Sequence, residues 1–529
     1  MLEPKMDSAL NPNPETQPSS IGPSTSANPT SAVTVSRGAS YLTIQTFVTI
    51  VAQVLAFAVL TRLITPTEVG ILTILSLITA LSQTLNGVPF SQAATKFIGA
   101  LISDSREAAS AVFYQSLRVT LLLSLPISAF VFVAAPAIAS LLLGSVTQAG
   151  LFRALAIDIL VYSGALPVAV GTMLGMKRFK EAATIGSTGL ILRQCLIVVL
   201  IILMRNLVGL VIGWILSDLA TVGAYAVFII HVLGMPKKSF SFRKLISFSW
   251  PLSIGGVISY VYNWFDRALL IAFVPLASLG IYNACLTAFG VLGGINGSIN
   301  SALLPVFSDI SRSGLESCRR ATWLASRYVS LVMVPLSFGL LATAKVALTT
   351  FVGQAYVGGS ESLAILSFFF AIIAFGSVLG TMLVALSETR VLLWITAASV
   401  LLAFGSAYVL LPLMGITGAA IARGLSMVGS LSLTITALRR KNAASLDLTT
   451  LWKTLLAGGV MAAVLVVVQM GFYSSFLLPA YVVLGGIVYL VTLRLLKAVR
   501  EHDVELVSRY LGPRLGFVAR VLGAILVTK

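Results

Sequence analysis

From residue 39 to residue 496 the sequence is a succession of apolar runs, each about twenty residues long, separated by short polar loops. Hydrocarbon offers no water to backbone N–H and C=O groups, so a run of that length crosses a membrane only as a helix. Runs can be placed at about 39–62, 68–92, 109–134, 150–174, 182–204, 207–233, 246–272, 278–305, 321–344, 361–386, 390–411, 415–437, 452–471 and 476–496. Composition agrees: 57% of residues are hydrophobic and 10% are charged, against about 25% charged in soluble domains. The fold class is all-α, a polytopic membrane protein of about 14 transmembrane helices.

The formal net charge of +17 does not point to nucleic acid, because no basic stripe interleaved with stacking aromatics is present. The basic residues fall instead in alternate short loops. Lys177, Arg178, Lys180, Lys237, Lys238, Arg243, Lys244, Arg312, Arg319, Arg320, Arg390, Arg439, Arg440 and Lys441 share one side of the expected topology. Basic residues near span ends favour the cytoplasm, so both termini are expected there, with the spans in the cytoplasmic membrane. Cys195, Cys285 and Cys318 lack metal or redox spacing and read as small packing residues. His231 and His502 stand alone. Neither a P-loop nor an HExxH motif nor a pair of intramembrane glutamates occurs, and the loops leave no room for a soluble catalytic domain. No enzyme activity, cofactor or metal is expected.

The organisation follows from composition and hydropathy. Residues 1–36 are rich in Ser, Thr, Pro and Asn and read as a disordered cytoplasmic tail without the apolar core of a signal peptide. Two six-span bundles are expected at 37–235 and 236–440, then two further spans at 441–497. In 498–529, apolar and basic residues alternate at roughly helical spacing, broken at Pro513, as in an interfacial amphipathic tail.

The two bundles echo each other. Arg118 and Arg327, Pro126 and Pro335, Gly144 and Gly353, Gly171 and Gly380, and Gly209 and Gly418 are each 209 residues apart. The tetrapeptide Gly171-Thr172-Met173-Leu174 recurs as Gly380-Thr381-Met382-Leu383. Six spans is an even number, so both copies enter from the same side: a parallel repeat about an axis along the membrane normal, which encloses a cavity between two similar halves. Rocking such halves is how a carrier works.

A charge within a span costs a few kcal/mol on insertion scales and marks a candidate site. The candidates are Arg62, Arg118, Arg153, Asp158, Arg193, Asp218, Asp266, Arg267, Arg327 and Arg423. Arg62, Arg153 and Arg267 lie near span ends and can snorkel. Arg193, Asp218 and Arg423 lie nearest mid-span, either as ion pairs between helices or as cavity lining. Asp266 and Arg267, adjacent in sequence, point about 100° apart and need not pair with each other. Arginine outnumbers aspartate, which favours an anionic ligand such as a phosphate or pyrophosphate.

Several motifs carry a family resemblance. Leu60-Thr61-Arg62-Leu63-Ile64-Thr65-Pro66-Thr67-Glu68-Val69-Gly70 is similar to an arginine–leucine–x–x–proline–x–glutamate–aromatic–glycine signature, with Val69 in the aromatic place. Phe248-Ser249-Trp250-Pro251-Leu252, Asp266-Arg267, Leu279-Gly280-Ile281-Tyr282 and Leu304-Pro305 match a central signature, followed by Gly353-Gln354-Ala355-Tyr356 and Leu411–Ala422. Over about 36–496 the chain thus resembles the polysaccharide transporter (O-antigen or oligosaccharide flippase) family of the multidrug/oligosaccharidyl-lipid/polysaccharide flippase superfamily. The resemblance implies two six-helix bundles in a V with two extra helices. It also implies translocation of an oligosaccharide linked to a polyprenyl phosphate or pyrophosphate. Implied partners are that lipid-linked oligosaccharide, membrane lipids, a coupling cation (proton or sodium) and polysaccharide assembly proteins. A cation-coupled multidrug exporter would favour acidic over basic cavity residues. A lipid II flippase shares the span arrangement and basic cavity, and the Thr61–Gly70 motif stands against it.

Overall fold

The computed structural model describes residues 29–499 apart from 237–238. The expected amphipathic tail and most of the expected N-terminal tail therefore lie outside the described residues. Helix α1 spans Pro29–Leu63, beginning inside the stretch that composition assigns to a tail. It is followed by α2 (Pro66–Ser82), α3 (Val88–Leu101), α4 (Arg106–Val133), α5 (Ala135–Leu143), α6 (Ala149–Ile159), α7 (Leu166–Gly175), α8 (Phe179–Met204) and α9 (Leu207–Leu233). The second half contains α10 (Phe242–Phe273), α11 (Leu276–Ile310), α12 (Leu315–Ala342), α13 (Ala344–Ala347), α14 (Ser360–Ile373), α15 (Ser377–Ala385) and α16 (Thr389–Arg440). Two more helices close the chain, α17 (Leu448–Gly471) and α18 (Leu478–Leu495). Helices α2 and α3 are one crossing interrupted by a π turn at Gln83–Gly87, and α6 and α7 are another, interrupted at Leu160–Ala165.

Among the described residues, 12 helical segments are long and apolar enough to cross a membrane. The 52-residue α16 is counted once among them, although it is broken at Gly415, where φ is 55° and ψ is −127°. A straight helix of that length would reach about 78 Å, far beyond a bilayer. Instead the chain reverses at Gly415. A Cβ at Gly418 would collide with the Leu410 carbonyl, and one at Gly429 with the Leu402 side chain. Only an antiparallel hairpin brings those pairs together. With α16 counted as two crossings, and with α1, whose Val48–Leu63 portion is apolar, the expected arrangement of about 14 crossings is met. The equivalent hairpin in the first half, α8–α9, repeats the close approach: a Cβ at Gly209 would collide with the Leu200 carbonyl. The spacing of Gly209 and Gly418 therefore reflects the same packing made twice.

In the first bundle α8 packs on α1 and α9, α3 on α4 and α7, and α6 on α4 and α9. In the second, α14 packs on α12 and α16, α11 on α12 and α15, and α10 on α16. Helix α17 lies against α12 and α18. The bundles meet through α2 and α11, near Pro66 and Leu276. Here two glycines make a reciprocal contact: a Cβ on Gly70 would strike the Leu276 carbonyl, and one on Gly280 the Pro66 carbonyl. Each helix thus offers its glycine to the first turn of the other, as a two-fold relation requires. Tyr356 Oη donates to the Ile64 carbonyl (3.4 Å) and Arg62 Nη2 to the Thr350 carbonyl (2.9 Å) at the same end. We call this the Pro275 end, and the opposite, basic end the Arg440 end.

Helix α10 straps the halves together. Toward the Arg440 end its hydroxyls reach first-bundle backbone: Ser249 to Pro89 O (3.4 Å), Ser253 to Leu85 O (3.0 Å) and Tyr260 to Leu77 O (2.8 Å). The π turn and Pro89 disturb the helical ladder of α2–α3, which leaves carbonyls open to such donors. Toward the Pro275 end α10 is held by its own bundle.

Candidate functional site

A cavity of about 470 Å³ lies between the bundles. Gln45 and Gln53 of α1, Ser76 of α2, Gln194 of α8 and Asp218 of α9 face it from the first bundle, and Asn283 and Thr287 of α11 from the second. Polar side chains at that depth cannot be supporting the apolar core, because each would demand a partner there. They suit a water-filled chamber for a polar ligand.

Two charge clusters lie within the spans, the first of them on this cavity. In the first bundle, Arg193 Nη1 donates to both Asp218 oxygens, at 3.1 and 2.9 Å. The guanidinium lies over the rings of Tyr162 and Trp214, 4.9 Å from each centroid. Asp158, fully buried on α6, interacts with the Asp218 carboxyl on α9, the helix packed against α6. Arg193, Asp218, Tyr162 and Trp214 line the cavity, whereas Asp158 stands behind them on α6.

In the second bundle, Asp266 is fully buried and accepts four hydrogen bonds. Arg423 supplies two, from Nε at 2.6 Å and Nη2 at 2.8 Å; Tyr282 Oη gives one at 2.7 Å, and the Arg267 backbone N–H gives one at 2.8 Å. The side chain of Arg267 is 4.0 Å away, beyond hydrogen-bond range. Its guanidinium instead covers Trp264, 4.1 Å from the centroid, and Trp264 stacks on Tyr260. Tyr260, Trp264 and Arg267 recur at i, i+4 and i+7, one face of α10. Tyr260 bonds Leu77 of α2, so that face looks toward the first bundle. The cluster contains two guanidinium groups and one carboxylate, and Arg267 Nε has no acceptor.

The remaining sequence candidates lie elsewhere. Arg62 ties α1 to Thr350 at the Pro275 end. Arg118 is exposed beside Tyr114, Pro236 and Ser239. Arg153 is exposed over Phe132. Arg327 is buried, bonding Asp447 Oδ2 (3.1 Å), Thr450 Oγ1 (2.9 Å) and the Ala498 carbonyl (3.0 Å). The repeat pairs Arg118 with Arg327, yet only Arg327 is covered, because α17 packs on α12 and no extra helix packs on α4. Sequence reasoning missed Tyr282, Trp264, Tyr260 and the cavity amides. The i, i+4, i+7 spacing on α10 was the available signal for Trp264 and Tyr260.

Comparison with known proteins adds the family. A model described as "Polysaccharide biosynthesis protein" matches residues 59–361, more than half of the chain. The chain belongs to that polysaccharide biosynthesis family. Among curated proteins none matches. Solved structures share the fold. A lipid II flippase, MurJ, in an inward closed conformation superposes with a TM-score of 0.69 at 13% identity, over 88% of this chain and 98% of that one. A MOP superfamily transporter from Pyrococcus furiosus gives 0.53 at 18% identity, over 81% and 96%. An outward-facing multidrug resistance MATE family transporter gives the same values. The chain is thus a multi-pass helical membrane protein of the polysaccharide biosynthesis family, as the motifs led us to expect, and it shares its fold with a lipid II flippase and MOP superfamily transporters.

Proposed function

We propose that this chain is a flippase for an oligosaccharide linked to a polyprenyl phosphate or pyrophosphate, working by alternating access in the cytoplasmic membrane with both termini cytoplasmic. The observation that carries the reading is Arg267, a guanidinium in the membrane-spanning region with no hydrogen-bond acceptor among the described residues. It lies on the α10 face turned toward the other bundle, beside a carboxylate already satisfied by Arg423. A guanidinium so placed offers a planar fork of donors, and phosphate oxygens fit that fork two at a time. Trp264 and Tyr260 continue the same face as aromatic surface for the apolar faces of sugar rings. The chamber amides and hydroxyls would replace water around the glycan while the lipid tail stays in the bilayer. A cationic drug would meet repulsion at Arg267, which disfavours the exporter reading.

The basic helix ends support the orientation. Arg178, Arg243, Arg319, Arg390, Arg439 and Lys441 gather at the Arg440 end, which the positive-inside bias assigns to the cytoplasm. In this orientation the Gly70–Gly280 crossing and the Arg62–Thr350 bond close the outer end, and transport requires them to part.

The test is complementation of a flippase-deficient bacterial strain. Wild type should restore surface polysaccharide. Arg267→Gln should reduce it at least tenfold at equal membrane abundance, and Arg267→Lys should recover part of it. Full activity of Arg267→Gln would refute the phosphate site.

A further inference from the structure

We propose that Asp158 and Asp218 hold one shared proton, forming a proton-binding site in the first bundle that is read out at the cavity through Arg193. Two fully buried aspartates in this molecule are treated in opposite ways. Asp266 accepts four hydrogen bonds from Arg423, Tyr282 and a backbone N–H. Asp158 accepts none: neither carboxyl oxygen has a donor. Its polar neighbour is the Asp218 carboxyl, and without a proton that contact would set oxygen against oxygen. An isolated carboxylate removed from water costs several kcal/mol and neutralises itself when it can. Like charges sharing a site resolve the conflict by keeping a proton between them.

The charge count points the same way. Arg193 bonds Asp218 through both oxygens, which balances one carboxylate and leaves the second uncompensated. One proton brings the cluster of two aspartates and one arginine to neutrality. The second bundle's cluster has the opposite surplus, two arginines to one aspartate.

No other charge is placed to neutralise Asp158. Helices α2, α4, α5 and α9 and the Leu160–Ala165 turn pack on α6. The turn contributes Tyr162, whose ring faces Arg193. Helix α5 carries no charged residue, and Glu68 of α2 caps its own helix through Thr65. On α4, Ser128 touches α6 at Ala156 (2.5 Å), while Arg118 lies about 15 Å further down the helix and Arg106 and Glu107 beyond it. Helix α9 adds only Asp218, Tyr225 and His231. Tyr225 Oη is engaged with the Ala182 carbonyl, and His231 lies at the Arg440 end.

A proton suits this site better than a metal cation. Hard cations ask for a shell of about six oxygens. Asp158 faces one carboxyl, no group of three or more acidic, His or Cys side chains that could hold a metal occurs among the described residues, and the Arg193 guanidinium sits where a metal would be repelled. Asp218 lines the cavity and Asp158 does not, so the proton exchanges with the chamber by way of Asp218. An anionic headgroup that draws Arg193 away would leave the singly protonated pair with one uncompensated negative charge and so favour uptake of a second proton, which links the two ligands through one guanidinium. That link rests on the flippase reading; the proton site does not.

The test therefore uses no transport substrate. Purified protein in liposomes is titrated from pH 5 to pH 10 while the infrared C=O stretch of protonated carboxylic acid is recorded. Wild type should show such a band at neutral pH. Asp158→Asn should lose it, and should also lose the pH dependence of melting temperature that wild type shows in this range. Arg267→Gln should keep both. Absence of the band from wild type, or its survival in Asp158→Asn, overturns the site. Replacing choline chloride by sodium chloride at constant pH should leave the band unchanged; its loss on sodium addition would overturn the proton in favour of a metal cation. Should Asp158→Asn fail to accumulate, the wild-type band and its sodium dependence still decide.

Discussion

Asp266 illustrates how a charge becomes tolerable inside a membrane protein. Its four donors come from three helices, α10, α11 and α16. Such a pair holds the second bundle together less by adding stability than by being costly to break. Asp266→Ala strands Arg423 and should cost about 3–5 kcal/mol. Tyr282→Phe removes one bond to a charged acceptor and should cost about 1.5–3 kcal/mol. Melting of the double variant should show less than the sum, since both changes act on one carboxylate; full additivity would mean that Tyr282 does not serve Asp266. The sequence marked every charge in both clusters but could not pair them. Arg423 lies 157 residues from Asp266, and adjacency drew attention to Arg267, whose side chain turns to Trp264 instead. Helical geometry indicated that Asp266 and Arg267 need not pair with each other. What stayed invisible was distance across helices, which depends on packing that no local pattern encodes.

At the scale of elements, the helices follow from apolar runs, while their interruptions come from small residues whose use is tertiary. The reversal at Gly415 was legible as two spans, because 390–437 is too long for one crossing. The π turns at Gln83–Gly87 and Leu160–Ala165 were not, since Gly87, Pro89, Gly164 and Pro167 mark an interruption without showing the wider turn that forms where neighbours take the freed carbonyls. Gly70 and Gly280 belong to the second kind. Both sit in helices where alanine would have the better propensity by roughly 1 kcal/mol, yet each abuts a backbone carbonyl of the partner helix. Gly280→Ala should therefore destabilise, by about 1–3 kcal/mol, through overpacking. Gly70→Ala should do the same, and the double variant should cost less than the sum, because once the crossing has opened for one methyl the other finds room. If Gly280→Ala melts higher than wild type, propensity rather than the crossing governs that position.

For the whole molecule, the repeat explains the two bundles and the departure from repeat explains the extra pair of helices. Arg118 and Arg327 began as equivalents. In the second half the segment before α17 folds back over α12: the Ser445 and Asp447 N–H groups bond Thr322 and Ser326, and Arg327 bonds Asp447. Asp447 caps α17 by accepting from the Thr450 N–H at 3.0 Å, so one carboxylate both starts the helix and docks it. Burial alone would raise the Asp447 carboxyl. The bonds from Thr450 and the Arg327 guanidinium outweigh burial and hold it below the usual carboxylate value. A carboxyl lowered in the folded state stabilises fully above its unfolded value, about 3.9, and the stabilisation fades as pH falls through the folded value. Wild type should thus lose thermal stability on acidification below about pH 4 by an amount that Asp447→Asn does not lose. At neutral pH Asp447→Asn should already melt lower, because it removes the buried ion pair between Asp447 and Arg327. Hydrogen exchange should place the loosening in α17 and α18 before the six-helix bundles. Equal acid sensitivity of wild type and Asp447→Asn would show that the extra helices are held by apolar packing alone.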